Sequence, residues 1–189
     1  MTIKTRWLIA LLLTALASHA AMAQKVKLAT SMGDIVIQLD ADKAPKTVTN
    51  FVQYVKDGHY DGLVFHRVIG GFMIQGGGYD AEMKEKPTRP SIPLESRNGL
   101  SNQRGTVAMA RTSVPDSASS QFFINVVDNS RLDAANAPDG NGYAVFGKVV
   151  SGMDVVDKIR EVPVGNKAGH QNVPQQPVVI RKATLESSK

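Results

Sequence analysis

Residues 25–30 and 34–39 set apolar side chains at alternate positions or in short runs on either side of Ser31-Met32-Gly33, the pattern of two strands joined by a tight turn. The period then changes. Val48, Phe51, Val52 and Val55 recur at helical spacing, with Pro45 suited to a first turn and Gly58 placed to stop it, so a helix is predicted between them. Short strand-like runs return at 63–68, 72–75, 105–110, 121–126, 143–150 and 177–185, and a second, shorter helix is predicted over Met153–Arg160. Loops rich in Gly, Asn, Asp and Pro separate these runs, the longest at 76–105 and 128–142; loops of that length in a small domain are often functional. Many short strands with only two helices predict an all-β barrel or sandwich whose open ends the helices cover, and periodicity alone does not choose between the two.

The first residues read differently. Lys4 and Arg6 precede a nearly unbroken apolar run over 7–17, and Ala21-Met22-Ala23 ends it. Basic start, short apolar core and small-x-small exit are the anatomy of a cleavable secretory signal peptide, and the run is short of the roughly 20 residues that span a bilayer. The expected organisation is therefore a signal peptide over 1–23 and one domain over 24–189, exported to the periplasm, with the outside medium as the less favoured destination and no stable membrane anchor. The chain has no cysteine, so disulfides cannot stabilise it and the core must. Its formal charge of +5 falls to +3 once Lys4 and Arg6 leave, and the remaining bases are scattered among acids. No basic stripe with interleaved aromatics occurs, which excludes nucleic acid as an expected partner.

One segment carries unusual chemistry. Arg67 sits in the run Phe65-His66-Arg67-Val68, and Phe72-Met73-Ile74-Gln75 follows after two glycines. An arginine keeps its charge and presents donors in a fixed fork, and holding one on a sheet among apolar neighbours is expensive unless it is paired or used. Phe72, Met73, Phe122, Phe123 and Leu132, taken singly, are each more readily core residues than ligand contacts. Adjacent Phe122 and Phe123 on a strand must face opposite ways, so one can fill the core and the other line a surface pocket. Gln75, two residues beyond Met73, shares its face. His66 is expected on the face opposite Arg67, as a structural histidine. The histidines lack the spacing of a metal site, Ser119 and Ser120 form no nucleophile elbow, and Gly76-Gly77-Gly78 lacks the lysine of a phosphate loop, so no metal or cofactor is expected.

Six blocks in order, between Lys27 and Leu185, resemble the cyclophilin-type peptidyl-prolyl isomerases. They are Gly33-Asp34-Ile35; Ala44-Pro45-Lys46-Thr47 with Asn50-Phe51; Phe65-His66-Arg67 through Gln75-Gly76-Gly77; Val107-Ala108-Met109-Ala110; Ser120-Gln121-Phe122-Phe123-Ile124; and Val145-Phe146-Gly147-Lys148-Val149. The resemblance implies a mainly β fold, a closed eight-stranded antiparallel barrel capped by two α-helices, with the site on its outer face. It implies a catalytic set of Arg67, Gln75 and Phe72. It assigns substrate contacts to His66, Met73, Ala110, Arg111, Thr112, Gln121, Phe123, Leu132 and Tyr143, with Ala110-Arg111-Thr112 pairing with substrate backbone. The implied partners are unfolded or partly folded proline-containing polypeptides, met by a monomer.

This chain departs from many eukaryotic members in carrying Arg111-Thr112 for Asn-Ala, Tyr143 for a histidine, a longer loop over 133–142, and Arg131 for a tryptophan that contacts cyclosporin, so weak affinity for that drug is expected. Isomerisation of an Xaa-Pro bond breaks no bond and needs no nucleophile, metal or cofactor, which accords with the motifs the chain lacks. A proline-peptide binding module or holdase with incidental isomerase activity would use the same pocket.

Overall fold

The computed structural model describes residues 24–186; the expected signal peptide lies outside the described residues. Strands β1 (Lys25–Thr30) and β2 (Gly33–Leu39) bury every second residue, Val26, Leu28 and Thr30 against Ile35, Ile37 and Leu39. Alternation of this kind turns one face of a pleated strand to the core. Helix α1 (Pro45–Lys56) buries Val48, Phe51, Val52 and Val55, as the spacing predicts, together with Tyr54. No local side chain caps it. The Glu95 carboxylate does so from far along the chain, accepting from the Lys46 and Thr47 backbone N–H groups at 3.1 and 2.8 Å, where a negative charge also suits the helix dipole.

Six further strands complete the main sheet: β3 (Arg67–Ile69), β4 (Met73–Gly76), β5 (Thr106–Met109), β6 (Phe122–Asn125), β7 (Val145–Ser151) and, at the far end of the chain, β10 (Ile180–Glu186). Their order is β10-β1-β2-β7-β5-β6-β4-β3, every described pairing being antiparallel. Helix α2 (Met153–Arg160) matches its predicted bounds and buries Val155, Val156 and Ile159. Phe51 links the first helix to the core, with its ring 5.4 Å from that of Phe122 and 5.0 Å from that of Phe146.

Two expectations change. The sheet curls strongly but is not a closed barrel, because its end strands β10 and β3 form no ladder; the chain there meets at an isolated bridge, Val64 with Val179, and through backbone hydrogen bonds such as Phe65 N–H to the Val178 carbonyl at 2.9 Å and Ile180 N–H to the Leu63 carbonyl at 2.8 Å. β3 is three residues long, and Pro177 removes a backbone donor from the facing segment. The second change is an element that the hydrophobic pattern does not announce: a hairpin of β8 (Val164–Lys167) and β9 (His170–Pro174), separate from the main sheet. Its turn residues Ala168 and Gly169 have φ of 49° and 81°, the left-handed conformation that two-residue hairpin turns need. Alanine is a poor sign of such a turn, and the strands carry little apolar alternation.

Candidate active site

Register builds the site. Arg67 pairs with Gln75, Gln75 with Phe123, Phe123 with Ala108, and Ala108 with Val145, so five residues form one row across β3, β4, β6, β5 and β7. The intervening residues Val68, Ile74, Phe122, Ile124 and Val107 point into the main core. The row's own face carries a second apolar cluster of Met73, Ala108, Phe123 and Val145, against which Phe72, Ala110, Leu132 and Tyr143 pack. Phe122 and Phe123 thus divide between the two faces as their adjacency requires. The Tyr143 ring meets Phe123 edge-on at 5.6 Å, and the Arg131 guanidinium lies 4.7 Å over the Phe72 ring.

Arg67 is half-buried at the polar end of this cluster. Its Nη1 donates to Gln75 Oε1 at 3.3 Å, and Gln75 Nε2 donates to Gln121 Oε1 at 2.9 Å. The relay fixes the guanidinium without neutralising it, since both partners are uncharged. Gly78 makes room for it: a Cβ there would stand 2.7 Å from the Gln121 side chain. Gly78→Ala is therefore expected to push Gln121 off Gln75 and lower kcat about tenfold, an effect within the usual reach of a positioning contact, with little change in thermal midpoint. Steady-state kinetics and a melting curve on one preparation check both halves; an unchanged kcat would show that the relay does not position Arg67.

Leu132 reaches the cluster from a short 3-10 helix, Ser130–Leu132. Its carbonyl accepts from Tyr143 N at 2.9 Å, and the approach requires glycine at 142, where φ is 63° and a Cβ would lie 2.5 Å from the Leu132 carbonyl oxygen. Behind it runs a buried polar chain that sequence reasoning missed. Asn129 Nδ2 donates to the Phe72 carbonyl and to Asn125 Oδ1, each at 2.8 Å; Asn125 Nδ2 donates to Asn102 Oδ1 at 3.2 Å; Asn102 Nδ2 donates to Asp133 Oδ1 at 2.9 Å. Burial of Asp133 raises its pKa, and hydrogen bonds from Ser101 and Asn102 more than offset that, leaving it below the usual carboxylate value. The chain ties the backbone of Phe72 to the loop that carries Leu132, and so sets the width of the pocket. Asn102 and Asn129 lie in loops and read as turn residues; only their convergence on Asn125 at the end of β6 shows otherwise.

The 110–112 segment borders the opposite side. The Ala110 N–H donates to the Gln121 carbonyl at 3.0 Å, and the Thr112 N–H donates to Ser117 Oγ at 2.9 Å. The Arg111 side chain packs into the neighbouring loop. It is 3% exposed, stacks 4.7 Å over Tyr143, donates to the Gly142 and Thr112 carbonyls at 2.8 and 2.9 Å, and pairs with Asp139. The Asn141 N–H, then Arg111 and the Gly142 N–H, hold Asp139 down at about 2. The Arg111 guanidinium clamps the 133–142 loop.

His66 is buried, as expected of a structural histidine. It precedes β3 rather than lying in it, so strict alternation does not apply, and it borders the same depression as Arg67. It is 4% exposed and its Nδ1 makes no hydrogen bond. Burial first, then the neighbouring His170 and Arg67 charges, press its pKa from 6.5 to about 4. A folded value below the unfolded one contributes stability that is complete above about pH 6.5 and is lost as the pH falls towards 4; the shift corresponds to at most about 3 kcal/mol. Urea midpoints at pH 7 and pH 4.5 should differ less in His66→Phe than in the parent protein, and equal differences would show that His66 does not carry this dependence.

Among the described residues no three His, Asp or Glu side chains group as a metal site, and no helix is long and apolar enough to cross a membrane. A cleft of about 950 Å³ lies against Gln38, Asp40 and Lys148 and holds only Val145 of the row. The row's chemistry, not cleft size, locates the candidate site.

Residues 25–185 match the family model described as cyclophilin type peptidyl-prolyl cis-trans isomerase/CLD. A peptidyl-prolyl cis-trans isomerase of Acinetobacter baylyi is 54% identical over 172 residues, which is 91% of this chain and 90% of that one. Peptidyl-prolyl cis-trans isomerase B of Escherichia coli is 54% identical over 157 residues, 82% of this chain and 96% of its own. A Cryptosporidium parvum cyclophilin type isomerase, crystallised in the presence of the dipeptide Ala-Pro, superposes with a TM-score of 0.72 at 26% identity, covering 87% of this chain and 100% of that one. The family match and these relatives define a peptidyl-prolyl isomerase. The chain belongs to the cyclophilin-type family, and its activity is cis-trans isomerisation of Xaa-Pro peptide bonds.

Proposed function

We propose that this isomerase acts on proline-containing polypeptides after export, speeding their folding in the periplasm, with Arg67 as the catalytic group. The observation that supports the assignment of roles is the row Arg67–Gln75–Phe123–Ala108, which sets a fixed cation beside the apolar cluster of Met73, Phe123, Phe72 and Leu132. Rotation about an Xaa-Pro bond loses amide resonance across a barrier of about 20 kcal/mol. As the bond twists, the proline nitrogen pyramidalises and regains a lone pair. An Arg67 N–H aimed at that nitrogen interacts more strongly with the twisted state than with the planar one, and only such a difference lowers a barrier. Phe72, Met73, Phe123 and Leu132 clamp the ring, Tyr143 walls it, and Gln75 with Gln121 keeps Arg67 in place. The backbone of Ala110, Arg111 and Thr112 pairs with the preceding residues, while His66 borders the site as a neutral ring.

Export rests on the basic start, apolar run and Ala21-Met22-Ala23 exit. Fractionating expressing cells and sequencing the N-terminus tests it, and a periplasmic product beginning at Gln24 is expected. Protein that stays in the cytoplasm with the leader intact would overturn the exported role and leave the isomerase activity standing.

A further inference from the structure

The β8–β9 hairpin stands outside the main sheet, yet β9 packs against β3, the strand that begins with Arg67. Two contacts fix it there. Lys167 Nζ donates to the Ala81 carbonyl at 2.7 Å. Tyr79 lies between two histidines, with ring centres 4.7 Å from His66 and 5.0 Å from His170. The result is a depression of about 470 Å³, with Arg67, Gln75 and Gln121 on one side and His170, Gln171 and Asn172 of the hairpin on the other.

Its lining is polar and includes no carboxylate. Arg67 supplies a full positive charge that its glutamine partner does not cancel. Gln121 spends its oxygen on Gln75, which leaves its amide N–H groups for another acceptor. Gln171 is exposed on the hairpin, and Asn172 is held at a φ of 59°. His66, also bordering the depression, is buried with Nδ1 unpartnered. A pocket of amide donors around one cation suits a carboxylate, which takes short charge-assisted bonds from such groups. A lysine side chain would meet an uncompensated like charge there.

We propose that this depression is a substrate subsite for an acidic side chain on a residue flanking the isomerised Xaa-Pro bond, so that the hairpin sets sequence preference. The proposal rests on the isomerase reading of Arg67. It assigns a role to an element that the proline slot does not use.

The test scans Glu, Gln and Lys through the positions before and after Ala-Pro in otherwise identical peptides and measures kcat/KM. At one position Glu should exceed Lys by about three- to tenfold at low salt, and the gap should shrink at about 0.5 M salt as screening shortens the reach of the charge. Gln171→Glu changes an exposed residue outside the slot, so turnover of an uncharged Ala-Pro peptide should persist while the preference for Glu disappears or reverses. A Glu-to-Lys ratio identical in parent and variant, or no preference at any position, would overturn the subsite. Failure of the parent protein to turn over even the uncharged peptide would instead overturn the isomerase reading on which it depends.

Discussion

Replacing Arg67 by alanine is expected to lower kcat/KM for an Ala-Pro peptide by about 10²- to 10³-fold, the usual cost of removing one preorganised donor from a developing charge. The fold should survive, because Arg67 is only half-buried and its side-chain partner Gln75 can turn to water or to Gln121. Arg67→Lys keeps the charge but loses the planar fork that Gln75 steadies, and it should recover little of the loss. The rate is read from the approach to equilibrium of a cis-enriched peptide, and the fold from circular dichroism of the same sample. Full turnover in a folded Arg67→Ala protein would remove the guanidinium from the mechanism and return attention to the slot alone.

The neighbouring phenylalanines give the second large effect, with opposite outcomes from one strand. Phe122 is fully buried, with ring centres 5.4 Å from Phe51, 5.5 Å from Tyr60 and 6.1 Å from Phe65. Phe122→Ala should cost about 3–5 kcal/mol, a large part of the stability of an ordinary domain. It should shift the urea midpoint strongly and leave KM near its parent value in whatever fraction stays folded. Phe123 has one aromatic partner, Tyr143, and lies on the site face. Phe123→Ala should cost less stability and raise KM by about tenfold or more, since it removes a wall of the proline slot. If Phe122→Ala were the variant with raised KM and normal stability, the assignment of the two faces would be reversed.

Much of this was legible along the chain, and the reasons differ by element. The α1 stripe of Val48, Phe51, Val52 and Val55 is readable because four apolar residues at helical spacing have one plausible burial. The division of Phe122 from Phe123 follows from strand geometry alone. The Arg67 segment stood out because a charged fork among large apolar residues is costly without a use, and the resemblance to a family then placed the other pocket residues. By contrast, the β8–β9 hairpin carries weak alternation and an alanine where turns of its kind favour asparagine or glycine. His66 stands one residue before its strand begins, where alternation alone does not fix the direction of a side chain. Arg111 was expected to contact a substrate through its backbone, and only the folded loop shows where its side chain goes, enclosed by Asp139, Gly142 and Tyr143.

Sequence by itself determined the local periods, the two helices, the identity of the face-dividing phenylalanines and the cation around which the site is arranged. These depend on residues near one another in the chain, whose spacing a single strand or helix converts directly into direction. Tertiary structure decided which rows align, how far the sheet closes, which asparagines converge behind Phe72 and which wall the hairpin adds beside Arg67. Each of those joins segments tens of residues apart, such as Glu95 capping α1 or Lys167 reaching the Ala81 carbonyl. Their energies depend on register and mutual burial, quantities that exist only once the sheet has curled.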